Sequence, residues 1–310
     1  MKQATPETNT LTALVPVAKA FAPMPRLCRL SDLLGDWQSE AEDQRQAFIE
    51  DRPRGPVVGL KQLDDALGGV LAPGLHIVHG QPGTGKTALG LQIAARCGAR
   101  SLFVSCEMAA LELLRRHTAR ETGTFLGRLK SGELEVGYSL GLVRRAIAAA
   151  PDLAFVDATR APASWEYLRD CAQIASSNHV DYPPAHFLMI VDSLHSWVEG
   201  AYSGASEYEA LNFGLARLRH LSHELNCPLL LLCERNRESM KTGGQSAGAG
   251  TRKIEYGAET VIDLDCEANA QSNIHGDKAV RIRITKNRHG ATHGGIDLLF
   301  NGALQRFTSI

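Results

Sequence analysis

Residues Gly80 to Thr87 read Gly-Gln-Pro-Gly-Thr-Gly-Lys-Thr and meet the pattern G-x-x-x-x-G-K-[ST] at every position. The flanks restrict the chain further. Leu75-His76-Ile77-Val78 is a short apolar run of the kind that forms a buried strand, and Ala88, Leu89, Leu91, Ile93 and Ala94 recur on one face of a helix. A strand that runs into glycines and then opens a helix leaves several backbone N–H groups pointing into one concavity, at the positive end of the helix dipole. That concavity suits the β- and γ-phosphates of a nucleotide such as ATP. On this reading Gly80, Gln81, Pro82, Gly83, Thr84, Gly85, Lys86 and Thr87 form the binding loop. Lys86 supplies a mobile positive charge, and the Thr87 hydroxyl is a ligand for Mg2+.

The rest of the chain is consistent with the α/β fold that such a loop demands. Apolar runs at 101–106, 153–157, 186–192 and 229–233 alternate with helical patterns at about 109–121, 138–150, 165–176 and 206–225. Continuous apolar runs suit parallel strands buried on both faces. Beyond Val261 the pattern changes to strands at 261–264, 280–285 and 295–300, which reads as a short antiparallel extension. Residues 195–206 read as a loop. Three segments follow: residues 1–28 as a flexible tail, 29–58 as an amphipathic helix and linker, and 59–310 as the nucleotide-binding domain. Ser31 reads as the N-cap of that helix, ahead of Leu33, Leu34, Trp37, Ala41, Ala47 and Phe48. The helix either packs on its own domain or crosses to a neighbouring subunit.

Composition narrows the partners. With 310 residues, 44% of them hydrophobic, the chain can bury one sizeable core, and a net charge of -1 excludes a uniformly basic surface. Nucleic-acid contact must therefore come from a local patch. The seven cysteines form no C-x-x-C pair and sit mostly in apolar runs, as reduced thiols of a cytoplasmic protein do. No apolar run is long enough to span a bilayer, so no membrane partner is expected.

Two acids complete the chemistry. Asp192 ends an apolar strand, the usual place for a carboxylate that holds magnesium with the loop hydroxyl. Glu107 ends the strand next after the loop helix, where it can orient or deprotonate an attacking water, a role that hydrolysis requires and phosphoryl transfer to another substrate does not.

With these residues placed, the chain resembles the RecA-like ATPase domain of DnaB-type replicative helicases, and less closely the related KaiC and RadA ATPases. The resemblance covers about Ser31 to Ile310. It rests on Leu63-Asp64 with Gly68-Gly69, the Ser105-Cys106-Glu107-Met108 segment, Ile190 to Leu194, Asn236-Arg237, Ile254-Glu255, Lys286 to Gly290, and Phe300-Asn301-Gly302 with Arg306-Phe307, in family order. It implies a RecA-like P-loop NTPase fold: a mainly parallel central sheet flanked by helices, with a C-terminal antiparallel β extension. It also implies a ring, usually of six subunits, acting on single-stranded DNA, with ATP at each subunit boundary. By the same resemblance Lys286 and Arg288 reach into the neighbour's site, and the first helix packs on the next subunit. Read from the residues alone, Lys286 and Arg288 also fit a solvated edge strand.

The chain departs from the family at Glu234, where Gln is usual. A carboxylate there repels the γ-phosphate unless it is protonated or paired with an arginine. An N-terminal collar domain of the family's kind is not recognised, only the tail, so primase and loader docking need not carry over; any replication or recombination proteins are expected to dock through the tail. The lack of a recognised collar, together with Glu234, leaves open a KaiC- or RadA-like ATPase that does not unwind DNA; a non-hydrolysing nucleotide-dependent scaffold is the other alternative. Two loops could contact DNA. One is 199–206; the other is the Gly/Ser-rich 238–253, with basic shoulders at Arg235, Arg237, Lys241, Arg252 and Lys253, which also fits a plain surface loop.

Overall fold

A computed structural model describes residues 27–177, 186–234, 254–266 and 272–310. The chain divides into two compact units, Met1–Gln46 and Ala47–Ile310. In the first, a 3-10 turn at Leu30–Leu33 leads into α1 (Leu34–Ile49), whose last three residues are counted with the second unit. The turn begins earlier than Ser31 because the Asp32 carboxylate reaches back to accept the Arg29 N–H at 3.0 Å, so Arg29 takes the cap position instead of Ser31. Leu34 and Trp37 on α1 are exposed.

In the second unit, α2 (Lys61–Ala66) precedes β1 (Gly74–Gly80), α3 (Lys86–Arg96) and β2 (Arg100–Ser105). Next come α4 (Ala110–Thr122), α5 (Arg128–Ser131), α6 (Val136–Ala149), β3 (Leu153–Asp157), α7 (Trp165–Ser176) and β4 (Phe187–Asp192). Then follow α8 (Leu194–Ala201), α9 (Glu207–Leu225), β5 (Pro228–Glu234), β6 (Thr260–Cys266), β7 (Asp277–Asn287), β8 (His293–Asn301) and β9 (Arg306–Ser309). Among the described residues these strands form one sheet in the order β3-β2-β4-β5-β1-β6-β7-β8-β9. The first six run parallel and the last three antiparallel.

Each face of the parallel part of the sheet is covered. Leu75 and Ile77 of β1 join Leu229, Leu231, Trp197, Leu215 and Leu218 on one side, where α7, α8 and α9 lie. Val78 joins Leu230, Leu232, Leu63, Leu91 and Leu113 on the other, with α2, α3 and α4. Successive side chains of a strand point to opposite faces, so a strand covered on both sides is apolar at every position. The β3 run is the exception. It is an edge strand, and only Val156 in it is fully buried.

Two expectations differ. Residues 194–201 form α8, because the Ser193 hydroxyl caps its first turn and Leu194, Trp197 and Val198 bury one face. Of the three strands expected in the antiparallel extension, the first, β6, instead continues the parallel sheet beside β1, and a further strand, β9, takes the third antiparallel place. Its single fully buried side chain, Phe307, is too short an apolar signal to mark a strand.

Candidate functional site

The sheet order explains how distant residues meet. The phosphate loop follows β1, Glu107 follows β2, Asp192 ends β4 and Glu234 ends β5, and these strands lie side by side. Register aligns Gly80 with Glu234, and Ser105 with Asp192. All four groups therefore rise from the carboxyl edge of the parallel strands, where crevices of open α/β sheets form. They line a 350 Å³ cleft with Pro82, Gly83, Gly85, Lys86, Thr87, Arg116 and Phe300.

The loop is shaped by close contact as much as by backbone freedom. Gly85 has φ +93, and a Cβ there would sit 3.0 Å from Phe307 and 3.1 Å from Phe300. Those two rings stack with centroids 4.4 Å apart. Lys86, only 9% exposed, folds back on its own loop: Nζ donates to the Gly80 carbonyl at 2.9 Å and the Gln81 carbonyl at 3.1 Å. Burial pulls its amine below the ordinary range, against the opposing charges of Glu234, Asp192 and Glu107.

Burial pushes the Asp192 carboxyl up to about 6, although the Thr87 side chain hydrogen-bonds to it; Glu107 nearby adds to the rise. A buried carboxylate beside a hydroxyl is an oxygen-only donor set short of positive charge, which fits a hard divalent cation. Glu107 moves the other way. Its burial favours the neutral form, but hydroxyl donors Ser196 at 2.6 Å and Ser193 at 2.7 Å, with Lys86 and His195 nearby, outweigh it and lower its pKa.

Sequence reasoning missed Arg116, Ser193 and Ser196 as members of this site. Arg116 comes from α4, and its Nη1 donates to Gln305 Oε1 at 2.6 Å, which ties the cleft to the β8–β9 turn. Its sequence signal is the i,i+4 pairing with Glu112, which is common on any exposed helix.

Lys286 and Arg288 lie elsewhere. Lys286 aligns with Val261 and Val261 with Ile77, so Lys286 sits about 10 Å below Gly80 along the strands, two strands across, and Arg288 lies further down still. Lys286 Nζ donates to the Glu255 and Tyr256 carbonyls at 2.8 and 3.0 Å. Arg288 pairs with Glu259 at 2.9 Å. The shoulder residues Arg235, Arg237, Lys241, Arg252 and Lys253 fall outside the described residues, as do Asn236 and the loop between them. The other suggested DNA loop, 199–206, begins inside α8, and its single aromatic, Tyr202, packs edge-on against Trp197 and beside Phe213, so it is not free to stack on a base.

Known proteins are similar in sequence and fold. The family described as DnaB-like helicase C terminal domain matches residues 55–309. The replicative DNA helicase DnaB of Treponema pallidum is 26% identical over 268 residues, covering 82% of this chain and 56% of its own length. The chain thus spans little more than half of that curated relative. A DnaB-like replicative helicase, whose solved structure is described with its interactions with primase, superposes with a TM-score of 0.72 at 17% identity, over 92% of this chain and 68% of its own. A KaiC-like protein of Pyrococcus horikoshii gives 0.53 at 18% identity, over 82% and 97%. These two structures show a shared RecA-like fold, and the match over 55–309 shows the family: the chain belongs to the DnaB-like helicase C-terminal domain family.

Proposed function

We propose that the chain is a magnesium-dependent ATP hydrolase that forms a ring with copies of itself, six by family analogy, and binds or translocates on single-stranded DNA as a helicase does. The observation that carries this reading is the convergence of Glu107 with Lys86, Thr87 and Asp192 in one cleft. The loop N–H groups and Lys86 hold the phosphates once the amine turns from its own carbonyls, and Thr87 and Asp192 hold the magnesium. That ion, when bound, neutralises charge across the β- and γ-phosphates. Glu107 takes the proton of the attacking water. Two serine hydroxyls keep it ionised and aimed, and a general base has to be both. Arg116 adds a planar cation to the cleft wall, near enough to Asp192 for its charge to favour the ionised carboxylate.

Lys286 and Arg288 complete a neighbouring copy's site. Their separation from their own phosphate loop supports a role in trans, since side chains of about 7 Å reach do not span it. Exposed Leu34 and Trp37 suit α1 as the helix that packs on the next subunit. DNA contact is assigned to Arg235, Arg237, Lys241, Arg252 and Lys253, and docking of replication or recombination proteins to residues 1–28. Cytoplasmic work fits this reading; among the described residues no helix is long and apolar enough to cross a membrane.

Glu234 supports a second reading. It lines the cleft where it faces the phosphate end, and a carboxylate there weakens coupling between hydrolysis and DNA movement. A KaiC- or RadA-like ATPase that remodels without unwinding is the consequence. ATP hydrolysis with and without single-stranded DNA, at low and moderate salt and with Lys86→Ala as control, separates the readings. Salt-sensitive stimulation supports the DNA motor. Lys86-dependent hydrolysis indifferent to DNA supports remodelling, and ATP binding without hydrolysis overturns both.

A further inference from the structure

Arg219, on α9, was not singled out by any motif. Its guanidinium lies against the main chain of Gly257: a Cβ built there would collide with Nη2 and sit 3.0 Å from Cζ. Gly257 has no left-handed backbone conformation, so what its position requires is space, and Arg219 takes that space. The same turn supplies the Glu255 and Tyr256 carbonyls that hold Lys286, and the Tyr256 carbonyl accepts from Arg288 Nη2 at 3.2 Å. Three cations are thus gathered on one turn. Arg219 and Arg288 both open onto a 450 Å³ cleft at the amino end of β1, with Gly74, His223, Tyr256 and Glu259 among its walls. Glu259 is the carboxylate in that lining, and it is engaged by Arg288 at 2.9 Å and His289 at 3.1 Å, not by Arg219. Glu255, the other acid near Lys286, lies 3.5 Å from His79.

Among the described residues, positive charge in this cleft exceeds what its acids balance, and like charges held this close favour an incoming anion. A planar guanidinium donates to phosphate oxygens in pairs, which a lysine does not. We propose that Arg219 is a third phosphate-facing cation of the set formed by Lys286 and Arg288, contacting the terminal phosphates of a nucleotide held in the phosphate loop of a second copy of this chain. This inference rests on the trans reading given above.

The test is subunit complementation with the full chain. Arg219→Ala lowers ATP turnover at least about tenfold, short of the roughly thousandfold that a full arginine finger supplies, while a nucleotide analogue still binds. Gly257→Ala reproduces the loss by displacing the guanidinium, with an unchanged circular dichroism spectrum. Mixing Arg219→Ala with Lys86→Ala subunits restores turnover above either alone, because boundaries that pair the first variant's phosphate loop with the second variant's Arg219 are intact. Arg288→Ala mixed with Lys86→Ala is the reference. If that pair complements and the Arg219 pair does not, Arg219 has no trans role and the inference falls alone. If neither complements, the trans reading falls with it. Full turnover by Arg219→Ala also overturns the inference.

Discussion

Replacing Gln92 with Leu should loosen the edge of the sheet from the phosphate-loop helix. Gln92 is 1% exposed on α3, and its amide bonds the main chain of Phe307 twice, donating to the carbonyl at 2.9 Å and accepting from the N–H at 2.8 Å. β9 is the sheet's last strand, so its outer N–H and C=O have no strand partner, and burial keeps water from replacing one. Leucine preserves the volume and leaves both groups unpaired. At about 1–3 kcal/mol for each buried unsatisfied group, the loss is about 2–6 kcal/mol. Urea denaturation followed by circular dichroism measures it, and the midpoint should fall without a change in slope. Because Phe307 and Phe300 back Gly85, the same variant should bind nucleotide more weakly before it unfolds. Gln92→Glu separates the two bonds. It keeps the acceptor, loses the donor and sets a carboxylate against a carbonyl, so stability should be regained in part at acid pH, where the carboxyl protonates. A loss under about 1 kcal/mol for Gln92→Leu would refute the reasoning, since it would mean water or a shifted strand satisfies Phe307 at no cost.

Other outcomes follow from the same structure. His76 is buried, donates to the Ala72 carbonyl at 2.7 Å, and burial holds its pKa at about 4, well below the ordinary 6.5. The unfolded chain therefore binds the proton more readily, so stability is full above about pH 6.5 and falls toward pH 4, by about 3 kcal/mol in all. His76→Asn should flatten that slope in denaturation midpoints measured from pH 7 to 4; an unchanged slope would assign it to other groups. Ser193→Ala with Ser196→Ala removes the hydroxyls that lower the Glu107 pKa, so the acid limb of the turnover–pH profile should move to higher pH, and an unmoved limb would show that Glu107 is not the titrating base. Glu107→Gln should abolish turnover while ATP still binds in equilibrium titration; retained turnover would remove the proposed base. Gly85→Ala should abolish binding of a fluorescent nucleotide, because its φ of +93 and two phenylalanine rings within 3.1 Å both oppose a side chain, and normal binding would show that the loop yields.

The sequence alone determined a good part of this molecule. The phosphate loop is contiguous, so its residues carry their own geometry, and the strands on both sides of it are apolar because helices cover both faces. Glu107 and Asp192 were legible for the same reason: each ends such a run. What the sequence could not decide is anything that depends on which elements become neighbours. Ser193 and Ser196 meet Glu107 across nearly ninety residues of chain only because β2 and β4 pair. Gln305 and Phe300 reach the cleft, and Gln305 meets Arg116 of α4 there, because the antiparallel extension packs on α3, where a fully buried glutamine holds it. Arg219 joins Lys286 and Arg288 through the bare backbone of one glycine. Local sequence fixes the conformation of short segments through propensity and hydrophobic period. Convergence of distant side chains is set by strand order, which the chain chooses only when its whole core is assembled.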